Sequence, residues 1–255
     1  MKFLLAAALA MLSLSSSAAS AQPGRVAGGD SLRSSDIEGV RLREAYGRFG
    51  ECVVKRHRAD ARVFVLYPEM DDDARRKLVN KIADGDCLLQ AAKSSSALQL
   101  RLPADTMRYT LADALVRAEF GSAPVADFSR VAPLKIPTLM EVRYLPAPGQ
   151  KLSKTQLRQL QEARSTEQGR IFMIAYGECV VRTDPLGSHR LLATEVGSPE
   201  ETGRFKALEG ALGGCLGPAR KLSMNKIVLR GTIASNYYRL ATAARNTAAT
   251  TGAQR

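Results

Sequence analysis

Apolar residues recur along this chain with the spacing of a helix face. One face, at positions i, i+4, i+7 and i+8, consists of Ala45, Phe49, Cys52 and Val53. A second face with the same spacing consists of Phe172, Tyr176, Cys179 and Val180. Upstream of them, Ser35-x-x-Glu38 and Ser165-x-x-Gln168 each fit the pattern of a capping box, so both segments are predicted to be amphipathic helices.

Five further helices are predicted from start signals and apolar stripes. Asp71-Asp72-Asp73 places acidic residues where a helix dipole is positive, and Ser198-Pro199-Glu200-Glu201 combines a cap with proline at the first helical position. The stripe after the second start is Phe205, Leu208, Leu212 and Cys215. Two later faces are Met107, Leu111, Ala114, Leu115 and Ala118, and Leu229, Ile233, Asn236, Tyr237 and Leu240. Ser153-x-x-Gln156 predicts one more helix, with Leu157, Leu160 and Ala163 on one side.

Three short segments favour strands instead. Residues 62–66 are rich in β-branched and aromatic side chains, whereas Leu98, Leu100 and Leu102 alternate with polar residues, as do Met140, Val142 and Tyr144. These segments keep an α+β fold open as the alternative to a mainly α fold.

The helical segments occur in two similar series. Gly50-Glu51-Cys52-Val53-Val54 returns as Gly177-Glu178-Cys179-Val180-Val181, and residues 107–112 correspond to residues 229–234. Cys87 follows Cys52 by 35 residues and Cys215 follows Cys179 by 36. We therefore predict a mainly α protein made of two tandem repeats of about three helices each.

The remaining segments define the predicted boundaries. Residues 1–21 have an early cation, an apolar run of about twelve residues and small residues at the end, as in a secretory signal; a membrane-spanning helix needs about 20. The chain then divides into a flexible leader (22–33), repeat 1 (34–120), a proline-rich connector (121–150), repeat 2 (151–243) and a disordered tail (244–255). We expect a periplasmic or extracellular protein without a transmembrane segment.

Export makes disulfides the expected state of the four cysteines. The two series favour Cys52 with Cys87 and Cys179 with Cys215. Loops of this length predict roughly 3 to 4 kcal/mol of stabilisation for each unstrained bridge.

The chain is basic, with 37 Lys and Arg against 25 Asp and Glu and a net charge of +12. The excess is spread along the sequence rather than gathered in one block. This distribution predicts weak attraction to anionic polymers or lipid and no specific nucleic-acid binding.

Catalytic and metal-binding motifs were not found in the sequence. The two histidines, His57 and His189, have no short ligand spacing, and the chain lacks C-x-x-C and G-x-S-x-G. We therefore expect no catalytic residue, metal site or cofactor.

The polar residues that occur in both series are the candidates for function. They are Glu51 with Glu178 and Arg108 with Arg230, for which we expect a structural ion pair within each repeat. The alternative for the carboxylates is general acid or base catalysis. Tyr238 and Arg239 offer a possible surface contact, whereas Tyr237 is expected in the core.

The leading functional hypothesis is an exported, non-enzymatic helical scaffold or binding protein that presents a surface to an envelope component or a protein partner. One alternative is an envelope hydrolase that uses Glu51 or Glu178. The other is an electrostatic binder of acidic glycans or anionic lipid.

Overall fold

The computed structural model describes residues 36–68, 70–92, 102–123, 125, 127–136, 151–217 and 224–252. This part of the chain forms helices and no strands, which confirms the mainly α prediction. The helices are α1 (Asp36–Arg56), α2 (Arg58–Leu66), α3 (Asp72–Ile82), α4 (Gly85–Ala92), α5 (Ala104–Phe120), α6 (Lys154–Thr183), α7 (Pro185–Ala193), α8 (Pro199–Ala207), α9 (Glu209–Leu216) and α10 (Lys226–Gly252).

Several predictions concern residues outside the described part. They are the signal segment 1–21, the leader 22–33, the cap at Ser35, residues 137–150 of the connector, the strand at Met140–Tyr144 and the last three residues of the tail. The predicted strand at Leu98–Leu102 also lies outside it, except for Leu102, which is in neither a helix nor a strand.

Side-chain caps begin the helices where the sequence indicated. Asp71 accepts hydrogen bonds from the N–H groups of Asp73 and Ala74 at the start of α3, and Ser198 accepts one from Glu201 N–H at the start of α8. Ser153 and Gln156 form the predicted capping box at the start of α6. The second predicted start, at Ser165, is wrong because α6 continues through it as one 30-residue helix. No Gly or Pro interrupts residues 154–168, so nothing breaks the backbone hydrogen bonding there.

The strand predicted at residues 62–66 is also wrong, since these residues belong to α2. Ala61, Phe64 and Val65 are fully buried, and their i, i+3 and i+4 spacing is that of a helix face rather than of an alternating strand. With α2, α4 and α9 as separate helices, five helices precede the 121–150 segment and five follow it within the described residues, more than the three expected in each repeat. The tandem duplication itself stays a prediction.

The two halves of the chain share one hydrophobic core. Helices α5 and α10 pack against each other at its centre, α1 crosses α5, and α6 crosses α10. The core's largest fully buried side chains are Phe49, Phe64, Ile82, Leu111, Leu115, Phe128, Leu191, Leu192, Leu208, Ile233, Tyr237 and Tyr238. Because residues from both halves fill the same interior, the described helices form one body.

The last helix extends beyond the predicted end of repeat 2 at residue 243. Helix α10 reaches Gly252, although residues 244–255 were expected to be disordered. Ala243 and Ala244 pack against the core, and the Arg245 guanidinium lies 4.2 Å from the centre of the Phe120 ring. These contacts and the helical propensity of alanine stabilise a segment of low apolar content.

Both predicted disulfides are present. Cys52–Cys87 joins α1 to α4 and Cys179–Cys215 joins α6 to α9, with Cα–Cα distances of 5.5 and 5.8 Å. Cys87 is fully buried, whereas Cys179 is exposed and therefore does not lie on the apolar face that its spacing predicted. Among the described helices, none is both long and apolar enough to span a membrane.

Candidate functional site

The repeated Glu and Arg positions do not pair with each other as expected. Glu51 accepts a hydrogen bond from Arg117 at 3.1 Å, and Glu178 accepts one from Arg182 at 2.8 Å. Glu178 also accepts the N–H of Leu134 at 3.0 Å. The predicted pairs were wrong because each carboxylate lies close to a different arginine. For Glu178 this is Arg182, one turn further along α6, and for Glu51 it is Arg117 on the crossing helix α5.

Arg230 is at the centre of a buried ion network. Its Nε donates to Asp113 Oδ1 at 3.0 Å, and its Nη1 donates to Glu201 Oε1 at 3.1 Å. The Leu192 and Thr194 carbonyls accept from Nη2 at 3.1 and 2.9 Å. Every nitrogen of this guanidinium therefore has an acceptor, as a buried charge requires.

Arg108 has a different environment at the corresponding position on α5. It is 8 % exposed, and its guanidinium carbon lies 4.9 Å from the centre of the Phe64 ring. Within the described part of the chain it forms no ion pair, and its buried Nη1 has no hydrogen-bond partner. Burial lowers the pKa of Arg108 to about 10, with the Asp105 carboxylate opposing the shift and the Arg170 cation adding to it. A buried cation without an acceptor is costly unless something else supplies one.

A pocket between α2, α5, α6 and α10 contains this guanidinium, and we call it the Arg108 pocket. The space between its side chains is about 420 Å³ when the adjoining open solvent is included. Its polar lining includes Arg108, Arg170, Arg239, Ser235 and Asn236, and its apolar walls include Val65, Met173 and Ile174. Apolar walls with a few convergent polar groups are the arrangement typical of sites for small molecules.

The other two arginines of the pocket have partners within the chain. Arg170 donates to Glu167 at 2.6 Å and to the Pro68 carbonyl at 3.3 Å. Arg239 donates to the Lys135 carbonyl at 2.8 Å. The pocket is thus positively charged, and Arg108, whose Nη1 lacks an acceptor in the described structure, is the most deeply buried of the three arginines.

Three polar atoms on α10 also lack partners in the described structure. They are Thr232 Oγ1, Ser235 Oγ and Asn236 Oδ1, on residues that are 1 %, 8 % and 2 % exposed. Asn236 donates through Nδ2 to the Thr232 carbonyl at 2.9 Å, so its free oxygen is an acceptor that lacks a donor. Buried polar atoms in native proteins nearly always have a partner, which points to a ligand or ordered water at this place.

Glycines let α6 approach α10 closely, and let α1 approach α5 closely. A Cβ on Gly177 of α6 would lie 2.6 Å from Thr232 Cγ2, and one on Gly50 of α1 would lie 2.7 Å from the Thr110 carbonyl oxygen. The glycine that precedes Glu-Cys in each series is therefore needed where α6 crosses α10 and α1 crosses α5. Sequence reasoning did not find this role, although both series contain the glycine.

The two residues predicted to form a surface contact, Tyr238 and Arg239, lie in different environments. Tyr238 is 1 % exposed and its hydroxyl donates to Glu119 at 3.1 Å, so its assignment as a surface contact is wrong. The reason is that α10 is surrounded by other helices and has little solvent-facing surface at this point. Tyr237 is buried as predicted, and Arg239 lines the Arg108 pocket.

The histidines lie apart from the pocket. His57 contacts Asp84 at 2.9 Å, and His189 contacts the Phe120 carbonyl at 3.0 Å. In the residues that the structure describes, no group of three or more His, Cys, Asp or Glu side chains is arranged to hold a metal ion.

Several members of the buried network were not found from the sequence. Arg43, Asp113, Arg117 and Glu201 all belong to it, yet none stood out as a pattern. For the pocket, the sequence offered Arg108 and Arg239 as candidates, and Asn236 as the polar member of an otherwise apolar predicted face. Comparison of the chain with protein-family models, with curated proteins and with solved structures found no match.

Proposed function

We propose that the protein is an exported, non-enzymatic binding protein that holds a small acidic ligand in the Arg108 pocket. The observation that carries the proposal is the buried Arg108 guanidinium, whose Nη1 has no acceptor in the described part of the chain. An anionic group of a ligand is the partner that such a cation requires. The proposal that the protein is exported rests on the signal pattern of residues 1–21. The two disulfides are compatible with export.

The frame around the pocket favours binding. Helices α5, α6 and α10 all contribute to its lining, and the Cys179–Cys215 bridge ties α6 to α9. A frame held in this way loses little conformational freedom when a ligand binds, which favours affinity. The net charge of +12 also attracts acids from a distance.

The placement of the carboxylates favours binding over hydrolysis. Glu51 and Glu178, the candidates for acid or base catalysis, are in ion pairs with Arg117 and Arg182, and neither lines the pocket. The acidic residue in the pocket lining is Asp105, which is exposed. The pocket therefore presents cations and neutral hydrogen-bonding groups rather than a carboxylate pair.

Direct binding measurements test the proposal. The oxidised protein without residues 1–21 is screened by thermal shift against small organic acids, each paired with its neutral amide, and hits are measured by isothermal titration calorimetry. We expect acids to stabilise the protein more than their amides do. The Arg108→Met variant should bind the same acids about 30-fold more weakly or worse, because the charge pair is lost.

Arg158→Met is the matched control. It removes the same charge from α6 at a residue that is 72 % exposed and lies outside the pocket lining, so it should bind as the wild type does. Equal binding by the wild type and Arg108→Met would contradict the proposal, as would the absence of acid binding from the whole panel. Affinity lost equally in both variants and abolished by salt would instead indicate a general electrostatic binder.

A further inference from the structure

The two corresponding arginines, Arg108 and Arg230, differ in whether the protein itself provides carboxylates that bind the guanidinium. Arg230 on α10 binds Asp113 on α5 and Glu201 on α8. Arg108 on α5 has no such partner in the described structure. The difference can be traced to two positions of the sequence.

The first position is Ser235. The register that pairs Arg108 with Arg230 also pairs Asp113 with Ser235, since each lies five residues after its arginine. Asp113 crosses from α5 to Arg230 on α10, and Ser235 lines the Arg108 pocket from α10. The position that corresponds to the Asp113 carboxylate is therefore occupied by the neutral hydroxyl of Ser235.

The second position is Ala74. Asp71 accepts the N–H of Ala74 at 2.9 Å, just as Ser198 accepts the N–H of Glu201 at 3.2 Å. Ala74 and Glu201 are therefore each the third residue after their cap. Glu201 provides the second carboxylate that binds Arg230, whereas the corresponding residue Ala74 has no carboxylate. Both internal carboxylates that satisfy Arg230 are missing around Arg108.

We infer that the ligand of the Arg108 pocket is a small carboxylic acid whose carboxylate takes the place that Asp113 has beside Arg230, and which also presents an N–H or O–H donor to Asn236. This inference rests on the proposed function and narrows its ligand class. The Oδ1 atom of Asn236 is a buried acceptor without a donor, so it selects a donor on the ligand. Val65, Met173 and Ile174 provide the contacts for an apolar group. An N-acyl amino acid with an aliphatic side chain has all three features.

Probes that differ by one feature test the ligand class. N-acetyl-leucine has the carboxylate, the N–H and an aliphatic group, 2-acetoxy-4-methylpentanoate has an ester oxygen in place of the N–H, and N-acetyl-leucinamide lacks the carboxylate. Calorimetric titration should give the tightest binding for N-acetyl-leucine. The amide should bind about 30-fold more weakly or worse, because it leaves the Arg108 charge without a counterion. The loss with 2-acetoxy-4-methylpentanoate should be about tenfold, as expected for one unsatisfied acceptor.

A variant of the protein tests the correspondence itself. Ser235→Asp should place an internal carboxylate beside Arg108, raise the melting temperature of the ligand-free protein and abolish N-acetyl-leucine binding. Ser235→Asn is the matched control of the same size without the charge, and it should show neither the stabilisation nor the complete loss of binding. Both variants are compared by circular dichroism to establish that they fold.

The outcomes separate this inference from the proposed function. If inorganic phosphate binds through Arg108 and the carboxylates do not, the ligand class is wrong while acid binding in the pocket stands. If Ser235→Asp neither stabilises the protein nor weakens binding, the carboxylate correspondence is wrong. If no acid binds the wild type, both proposals fail.

Discussion

Arg43 donates to Glu201 over 2.7 Å, although 158 positions separate the two residues in the sequence. Glu201 is fully buried and also accepts from Arg230 and from the N–H of Gly197. One carboxylate therefore connects α1, α8, α10 and the turn before α8. Because two guanidinium groups depend on it, its charge is more important for stability than its size.

We predict that Glu201→Gln lowers the free energy of unfolding by about 3–5 kcal/mol. The amide keeps the shape of the side chain but leaves the Arg43 and Arg230 charges under-compensated in the interior. Urea unfolding of the oxidised protein, followed by far-UV circular dichroism, measures the change. Glu200→Gln is the control, because Glu200 is 64 % exposed in its pair with Arg204, and it should change stability by less than about 1 kcal/mol. Equal effects of the two substitutions would show that the buried network contributes little.

The glycines at the helix crossings give a second prediction. Gly50→Ala and Gly177→Ala should each destabilise the protein by about 1–3 kcal/mol, since the added methyl would overlap Thr110 or Thr232 on the crossing helix. Gly203→Ala in α8 has open space around the new methyl, so it should stabilise by about 0.5–1 kcal/mol through helix propensity. The same unfolding measurement applies. A stabilising effect at Gly50 would mean that α1 and α5 are farther apart than described.

Local patterns predicted a large part of the fold. The spacing of apolar residues and the caps at Asp71, Ser153 and Ser198 indicated helices, because both signals depend on neighbouring residues alone. The cysteine spacing indicated the two disulfides. At residues 62–66, β-branched residues favoured a strand, but burial of Phe64 and Val65 against the core outweighed that propensity.

The candidate site depends on contacts that sequence patterns do not contain. Arg108 was a candidate because it occurs in both series, but nothing near it in the sequence indicates that it lacks an acceptor while Arg230 has several. That difference arises from Asp113 and Glu201, which lie 117 and 29 residues from Arg230. The expected pairs with Glu51 and Glu178 failed for the same reason, since pairing depends on how helices cross. The predicted exposure of Tyr238 failed because α10 is central in the fold.

The two disulfides should differ in their reactivity. Cys179 is exposed, whereas Cys87 in the other bridge is fully buried, so a dissolved thiol can reach Cys179–Cys215 more readily. Limited dithiothreitol under native conditions, followed by alkylation and peptide mass spectrometry, should label Cys179 and Cys215 before Cys52 and Cys87. Reduction of both bridges at the same rate would contradict the described difference in exposure. Denatured protein is the control, since unfolding removes the difference.

Two buried tyrosines should make the protein less stable at alkaline pH. Burial raises the pKa of Tyr237 to about 12, and burial together with the Glu119 carboxylate raises that of Tyr238 to about 12. Between the ordinary value of 10.0 and about 12, the unfolded chain loses these protons while the folded protein retains them. The free energy of unfolding therefore falls as pH rises through this window, and the tyrosines have no such effect below it.

Tyr237→Phe should make this decline shallower by up to about 1.4 kcal/mol per pH unit, because one of the two protons is no longer retained. Urea unfolding at several pH values across the window measures the slope for the wild type, Tyr237→Phe and the double variant with Tyr238→Phe. The slope is independent of any stability lost with the Tyr238–Glu119 hydrogen bond, which changes the starting value at lower pH. Identical slopes in all three proteins would show that solvent reaches both hydroxyl groups, which would contradict their position in the core between α5, α7 and α10.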